Sequence, residues 1–174
     1  EFVAAADRIQ LNLPAYTLRV NPRHKAILHP KIVCERWGIP FFAVPHDSEE
    51  LIALLKRYEI DFGIIAGARI LKKPVIAAVK SGIVNFHPGL IPEVRGLDTL
   101  QWAIYHDLPL GVTAHLIDER VDAGRIILRK SMEVYPDDSF VDLSLRLYET
   151  QLEMLPETLQ LLSKGEIEEF PSVP

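Results

Sequence analysis

Two periods of apolar and polar residues alternate along this chain. Continuous apolar runs, or apolar and polar residues in alternation, predict strands at 16–20 (YTLRV), 40–45 (PFFAVP), 61–68 (DFGIIAGA), 82–87 (GIVNFH), 111–118 (GVTAHLID) and 125–135 (RIILRKSMEVY). Helical spacing predicts helices at 31–38, 48–59, 72–81, 97–107 and 139–165. Pro30 suits the first turn of the first helix and Gly38 its end. In the second, Ser48 can cap, Glu49 and Glu50 favour the positive end, and Leu51, Leu54, Leu55 and Tyr58 form one stripe. Pro156 lies inside the last helical pattern, so a break or kink is expected there. Repeated strand–helix–strand units predict an α/β fold, a mostly parallel twisted sheet with flanking helices and right-handed crossovers. Strands 111–118 and 125–135 are too close for a helical crossover, so an antiparallel pair is expected near the C-terminal side. With no internal repeat or linker, residues 1–174 read as one domain.

Composition narrows the function classes. The chain has 174 residues, 48 % of them apolar and 25 % charged, as in ordinary globular proteins. Lys and Arg number 19 against 24 Asp and Glu, a net charge of −5 that disfavours bulk nucleic-acid binding. Cys34 is the single cysteine, so no intrachain disulfide or cysteine-based zinc cluster can form, and a reducing, cytoplasmic setting is expected. No run is long enough to cross a bilayer, and no membrane association is expected. The opening EFVAAADRIQ lacks an initiator Met and reads as the end of an amphipathic helix.

Chemistry-bearing residues fall into four segments. In IVNFHPGLIP (83–92), Asn85 and His87 stand two apart at a strand's carboxyl end, where ligands of open α/β sheets bind. Both side chains point to one side. An Asn that satisfies loop backbone and a His that finishes a strand explain the pair as well as an active site does. In DERVDAGRII (118–127), Asp118, Glu119 and Asp122 are three carboxylates in a loop, either a solvated acidic turn or partners for an imidazole. In AGARILKK (66–73), Gly67 permits close backbone approach, Ile70 and Leu71 can line an apolar slot, and Arg69 can anchor an acid group; a plain strand-to-helix turn accounts for it too. In GLIPEVRG (89–96), Arg95 and Gly96 lie in a loop shaped by glycines and Pro92. His115 alternates with apolar neighbours and is held as a residue supporting the pair; His24, His29, His46 and His106 are assigned no role.

Absences matter as well. The chain has no G-x-S-x-G elbow, HExxH, CxxC pair or GxxxxGK[ST] loop, so a serine hydrolase, zinc protease or P-loop kinase lacks its basic parts. No set of metal ligands is read.

Together the segments resemble the formyltransferases that use 10-formyltetrahydrofolate. NFHPGLIPEVRG is similar to that family's N-x-H-P-[SG]-L-[LI]-P…G segment, GVTAHLIDERVDAGRII to its G-x-[ST]-x-H…D-x-G segment, and IIAGARIL to the strand end that receives the pterin. The resemblance covers roughly 60–165, with the three segments in the family's order. It implies a Rossmann-like formyltransferase fold and formyl transfer to the amine of a small-molecule acceptor, with 10-formyltetrahydrofolate as donor. It places the catalytic roles on Asn85, His87 and Asp122. The donor would meet Arg69, Ile70, Leu71, Ile117, Asp118, Glu119 and Val121, and the acceptor Arg95 and Gly96. His87 and Asn85 would donate to the developing oxyanion, and Asp122 would sustain the charged imidazole.

Family members open with a strand before their first helix, and this chain starts near that helix. A missing strand would expose apolar surface and unpaired backbone, which predicts an upstream residue stretch or a strand supplied by a partner, and oligomers are open. Methionyl-tRNA formyltransferases carry a C-terminal barrel; the chain stops before one, and with the acidic charge this disfavours tRNA. HDLPLGVTAHLID resembles the sugar-nucleotide amine formyltransferases more than the purine-pathway enzymes. The expected acceptor is therefore an amino-sugar nucleotide. The alternatives are glycinamide ribonucleotide transfer, formyltetrahydrofolate hydrolysis and an inactive folate-binding module.

Overall fold

The structure, a computed structural model, describes residues 28–67, 70–118 and 124–165. The elements run α1 (Pro30–Trp37), α2 (Glu49–Arg57), β1 (Gly63–Ile65), α3 (Lys73–Ile76), β2 (Ile83–His87), α4 (Thr99–Tyr105), β3 (Gly111–Leu116), β4 (Ile126–Ser131) and α5 (Phe140–Lys164). The described strands form one sheet in the order β1-β2-β3-β4. β1 and β2 are parallel, joined by a crossover containing α3, while β2–β3 and β3–β4 are antiparallel. The α/β class, the flanking helices and the antiparallel pair on the C-terminal side agree with the sequence. The strand expected at 16–20 lies outside the described residues.

Local chemistry explains the helix bounds. Pro30 opens α1 behind His29, whose Nδ1 accepts from the Lys31 N–H at 3.2 Å, and Gly38 closes it in the left-handed conformation at φ 64°. Ser48 accepts from the Leu51 N–H at 3.1 Å and starts α2 where expected. The segment 40–45 is not a strand; it makes no ladder with any described strand, and Phe42 instead packs its ring against Tyr58 at 5.5 Å. The helix expected at 72–81 stops at Ile76, where turns replace it. The strand expected at 125–135 ends at Ser131.

α5 begins with a reciprocal capping box between Ser139 and Asp142. It runs without a break through Pro156, contrary to the expected interruption. The reason lies in the helix's two faces. Leu143, Leu147, Met154 and Leu162 are buried in the core, whereas Pro156 and Leu152 are exposed. The carbonyl that Pro156 leaves without an N–H donor is that of Leu152, on the solvent side where water can serve it.

Alternation along β2 and β3 divides the sheet. Val84, Phe86, Val112 and Ala114 enter the apolar cluster with Leu143, Leu147 and Met154 of α5 and Leu100 and Ala103 of α4. The opposite face carries Asn85, His87, Thr113 and His115. No helix among the described residues is long and apolar enough to cross a membrane.

Two features generate stability predictions. A Cβ at Gly111 would collide with the Lys130 carbonyl oxygen and lie 2.8 Å from Leu90 Cδ2 and 2.9 Å from the Ser131 Cα. Gly111→Ala is expected to lose about 1–3 kcal/mol of stability, read as a lower urea midpoint. Thr158 is fully buried, and its Oγ1 has no hydrogen-bond partner among the described residues. Thr158→Val replaces that hydroxyl with a methyl of similar size and is expected to gain about 1 kcal/mol in the same measurement.

Candidate functional site

Asn85 and His87 share one face of β2 because the residues between and before them, Phe86 and Val84, are drawn into the core. β3 alternates in the same way. The antiparallel register sets Asn85 opposite His115 and His87 opposite Thr113. Four polar side chains thus form a block two strands wide. His87 is 3 % exposed, Thr113 0 % and His115 1 %, with Asn85 half-buried. Polar groups buried this deeply destabilise a fold unless hydrogen-bonded.

Their bonds define their orientation. His115 Nδ1 lies 3.2 Å from the Leu116 carbonyl oxygen. A carbonyl only accepts, so Nδ1 carries the proton, and Nε2 of the neutral ring is an acceptor. The Asn85 Nδ2 amide, 3.3 Å away, donates to that Nε2. The amide nitrogen is therefore turned toward His115, which fixes the direction of the amide plane. His87 Nε2 lies 3.1 Å from the Val94 carbonyl, so it is the protonated donor of that pair. The two imidazoles meet edge to face, with centroids 6.3 Å apart.

The loop after β2 folds back over this face. Thr113 Oγ1 donates to the Gly89 carbonyl at 2.7 Å and accepts from the Ile91 N–H at 3.0 Å. Thr99, at the start of α4, donates to the Pro88 carbonyl at 2.6 Å. Farther along the loop, Glu93 pairs with Arg129 of β4 at 2.9 Å. The Ile91–Pro92 peptide bond is cis.

The structure brings Asn85, His87 and His115 together. His115 does more than support the pair from a distance, because it touches the Asn85 amide directly. Ile117 and Asp118 follow β3 and are half-buried. Ile70 is 76 % exposed and Leu71 half-buried past the end of β1. Lys72, next in sequence, donates to Asp47. That hydrogen bond, reinforced by Coulomb attraction, holds the Asp47 carboxyl below the ordinary carboxylate range. Arg95 is exposed, and Gly96 takes a left-handed turn at φ 88°, two residues beyond the Val94 carbonyl that meets His87. Arg69, Glu119, Val121 and Asp122 lie outside the described residues.

Sequence reasoning missed Thr113 and the Val94 carbonyl. The signal available for Thr113 was its place two residues before His115, on the same strand face. A backbone acceptor such as Val94 leaves no signature in residue types.

Residues 18–159 match the family model described as formyl transferase. A methionyl-tRNA formyltransferase of Synechococcus sp. (strain JA-3-3Ab) is 34 % identical over 159 residues, covering 88 % of this chain and 49 % of that protein. The chain spans about half the length of the curated relatives it matches. Among solved structures, phosphoribosylglycinamide formyltransferase from Anaplasma phagocytophilum gives a TM-score of 0.71 at 26 % identity, over 79 % of this chain and 68 % of that one. The formyltransferase PseJ from Anoxybacillus kamchatkensis, in complex with UDP-4,6-dideoxy-4-formamido-L-AltNAc and tetrahydrofolate, shares the fold with a TM-score of 0.66 at 23 % identity, over 82 % and 77 %.

His115→Phe keeps a buried ring but leaves the Asn85 amide and the Leu116 carbonyl without this partner. The expected outcome is a loss of about 1–3 kcal/mol in chemical denaturation. An unchanged midpoint would mean that the His115 bonds contribute nothing to holding the strand face.

Proposed function

This chain belongs to the formyl transferase family, and on that premise we propose that it transfers a formyl group from 10-formyltetrahydrofolate to a primary amine. The observation that carries the reading is the placement of Asn85 and His87 side by side at the carboxyl end of β2, each oriented by a hydrogen bond. The donor supplies an electrophilic formyl carbon. When an amine nitrogen attacks that carbon, the formyl oxygen gains negative charge. N–H groups of Asn85 and of a protonated His87 stabilise it as fixed donors, an arrangement that needs no reorganisation during the reaction. Asp122 is assigned the carboxylate role, which sustains the imidazolium and helps remove the proton from the attacking nitrogen. That assignment rests on the D-x-G wording of residues 122–124.

The residues past β1 and β3 suit the donor. Ile70 exposes apolar surface beside half-buried Leu71, which fits one flat face of a pterin. Ile117 and Asp118 offer an apolar wall and polar backbone on the β3 side. Arg69, Glu119 and Val121 join this set on sequence grounds, and Arg95 and Gly96 face the acceptor in the same reading.

For the acceptor, the wording of 106–118 supports an amino-sugar nucleotide. A second reading, methionyl-tRNA, is favoured by the curated relatives at 31–34 % identity. A formyl-transfer assay offering an amino-sugar nucleotide, glycinamide ribonucleotide, methionyl-tRNA or water alone separates the transferase readings from hydrolysis. With the accepted amine, Asn85→Ala is expected to lower kcat about 10²–10³-fold. His87→Ala and Asp122→Ala are expected to lower it about 10²–10⁴-fold. Calorimetric binding of a stable folate analogue should persist in all three. Near wild-type turnover in all three variants would sink the mechanism, and absence of folate binding in the unmodified chain would sink the donor assignment.

A further inference from the structure

One buried hydroxyl bonds the loop that closes over His87 at two points, and that hydroxyl stands across the strand pair from the imidazole. Thr113 pairs with His87 in the β2–β3 register and is fully buried. Its Oγ1 works as donor and acceptor at once, to the Gly89 carbonyl at 2.7 Å and from the Ile91 N–H at 3.0 Å. Both groups precede Val94, whose N–H returns to the Leu90 carbonyl at 2.9 Å. Val94's own carbonyl accepts from His87 Nε2 at 3.1 Å. The chain of contacts therefore runs from Thr113 to residues 89–91, through one turn to Val94, and back to the ring opposite Thr113.

We propose that Thr113 is a positioning residue that sets the tautomer and ring orientation of His87 by holding the 89–94 turn, and with it the Val94 carbonyl, against Nε2. A carbonyl at that nitrogen stabilises the form with hydrogen on Nε2 and disfavours the form with hydrogen on Nδ1. Burial of Leu90, Ile91 and Val94 also anchors the loop, without a directional bond, and its remaining polar ties are weaker or lie elsewhere. The Glu93–Arg129 pair has side chains 46 % and 29 % exposed and is screened by solvent. The Thr99 bond fastens Pro88, at the loop's entry, and leaves the 89–94 turn to Thr113. The valine variant removes both hydroxyl bonds while keeping the branched shape, so Ile91 N–H and the Gly89 carbonyl lose their buried partner and the turn can shift. Misplacement on the scale of an ångström costs on the order of 10²-fold in rate.

The proposal deepens the reading of His87 as a working group, and its principal measurement needs no acceptor. Long-range ¹H–¹⁵N correlation on the chain, at a pH where imidazoles are neutral and with His87 assigned by difference from His87→Gln, reports which ring nitrogen bears hydrogen. The unmodified chain is expected to show hydrogen on Nε2. Thr113→Val is expected to show a mixture of tautomers, and Thr113→Ser to restore the single form. In the transfer assay, kcat of Thr113→Val should fall on the order of 10- to 10²-fold, with donor KM little changed and Thr113→Ser close to wild type. A purely structural role would lower stability without moving the tautomer signal. Hydrogen on Nδ1 in the unmodified chain overturns the proposal, and that test needs no variant to fold. A folded Thr113→Val, or Thr113→Ala in its place, that keeps the pure Nε2–H form also overturns it. If no acceptor is formylated, the functional reading fails, while the tautomer result still decides the role of Thr113.

Discussion

Val84 stands opposite Leu116, and from that pairing follow Asn85 opposite His115 and His87 opposite Thr113. The register between these two antiparallel strands is the constraint on which the site depends. A slip by one residue would turn Asn85 and His87 into the apolar cluster and bring Val84 and Phe86 out beneath the loop. The apolar face resists such a slip, since Val84, Phe86, Val112 and Ala114 are all buried with α5 and α4. Hydrophobic burial on one side of the sheet thereby holds polar geometry on the other. The two sides are linked by the strict alternation of strand side chains.

The helix that supplies most of that apolar face has its own anchor. Arg146 of α5 makes two hydrogen bonds, each 2.8 Å, to the Asp138 carboxylate ahead of the helix, and its guanidinium lies over the Tyr135 ring. The Asp138 hydrogen bond is the main cause of the upward shift of the Arg146 pKa. The guanidinium remains charged across the ordinary pH range. The Asp138 side chain is 1 % exposed, so the charge is compensated where water cannot reach it. The start of α5 is thus set by paired charges and a capping box, and its length by apolar contacts.

Much of this arrangement was legible in the sequence. Ser48, Pro30 and Gly38 marked helix ends through local bonds, and local bonds depend only on neighbouring residues. Asn85 and His87 announced a shared face through their spacing on an apolar strand. What failed depended on distant partners. Residues 40–45 have strand composition, yet they form no ladder with any described strand, and composition alone makes none. Pro156 predicts a break in isolation, but the prediction omits which carbonyl is orphaned and whether it faces solvent. The contact of Asn85 with His115 and the reach of Thr113 across to residues 89–91 are products of register, which no local pattern encodes.

Glycines then decide where β3 itself sits. At its start, Gly111 lies against the Lys130 carbonyl and the Ser131 Cα, closer than any side chain allows. At its end, the Leu116 carbonyl occupies the place that a Cβ on Gly124 would need, and the Leu116 N–H donates to the Arg125 carbonyl at 2.8 Å. Between these ends the ladder with β4 shifts register at Ala114 and His115, so Ile127 is an extra residue on the β4 side. A bulge at this point adds local twist next to His115. β4 is therefore locked to both ends of β3 while being free to adjust its middle. The strand carrying Thr113 and His115 cannot slide along β4 without breaking one of the two close backbone contacts. Hydroxyl, imidazole and amide therefore sit on strands placed by packing, and their hydrogen bonds set their directions within that frame.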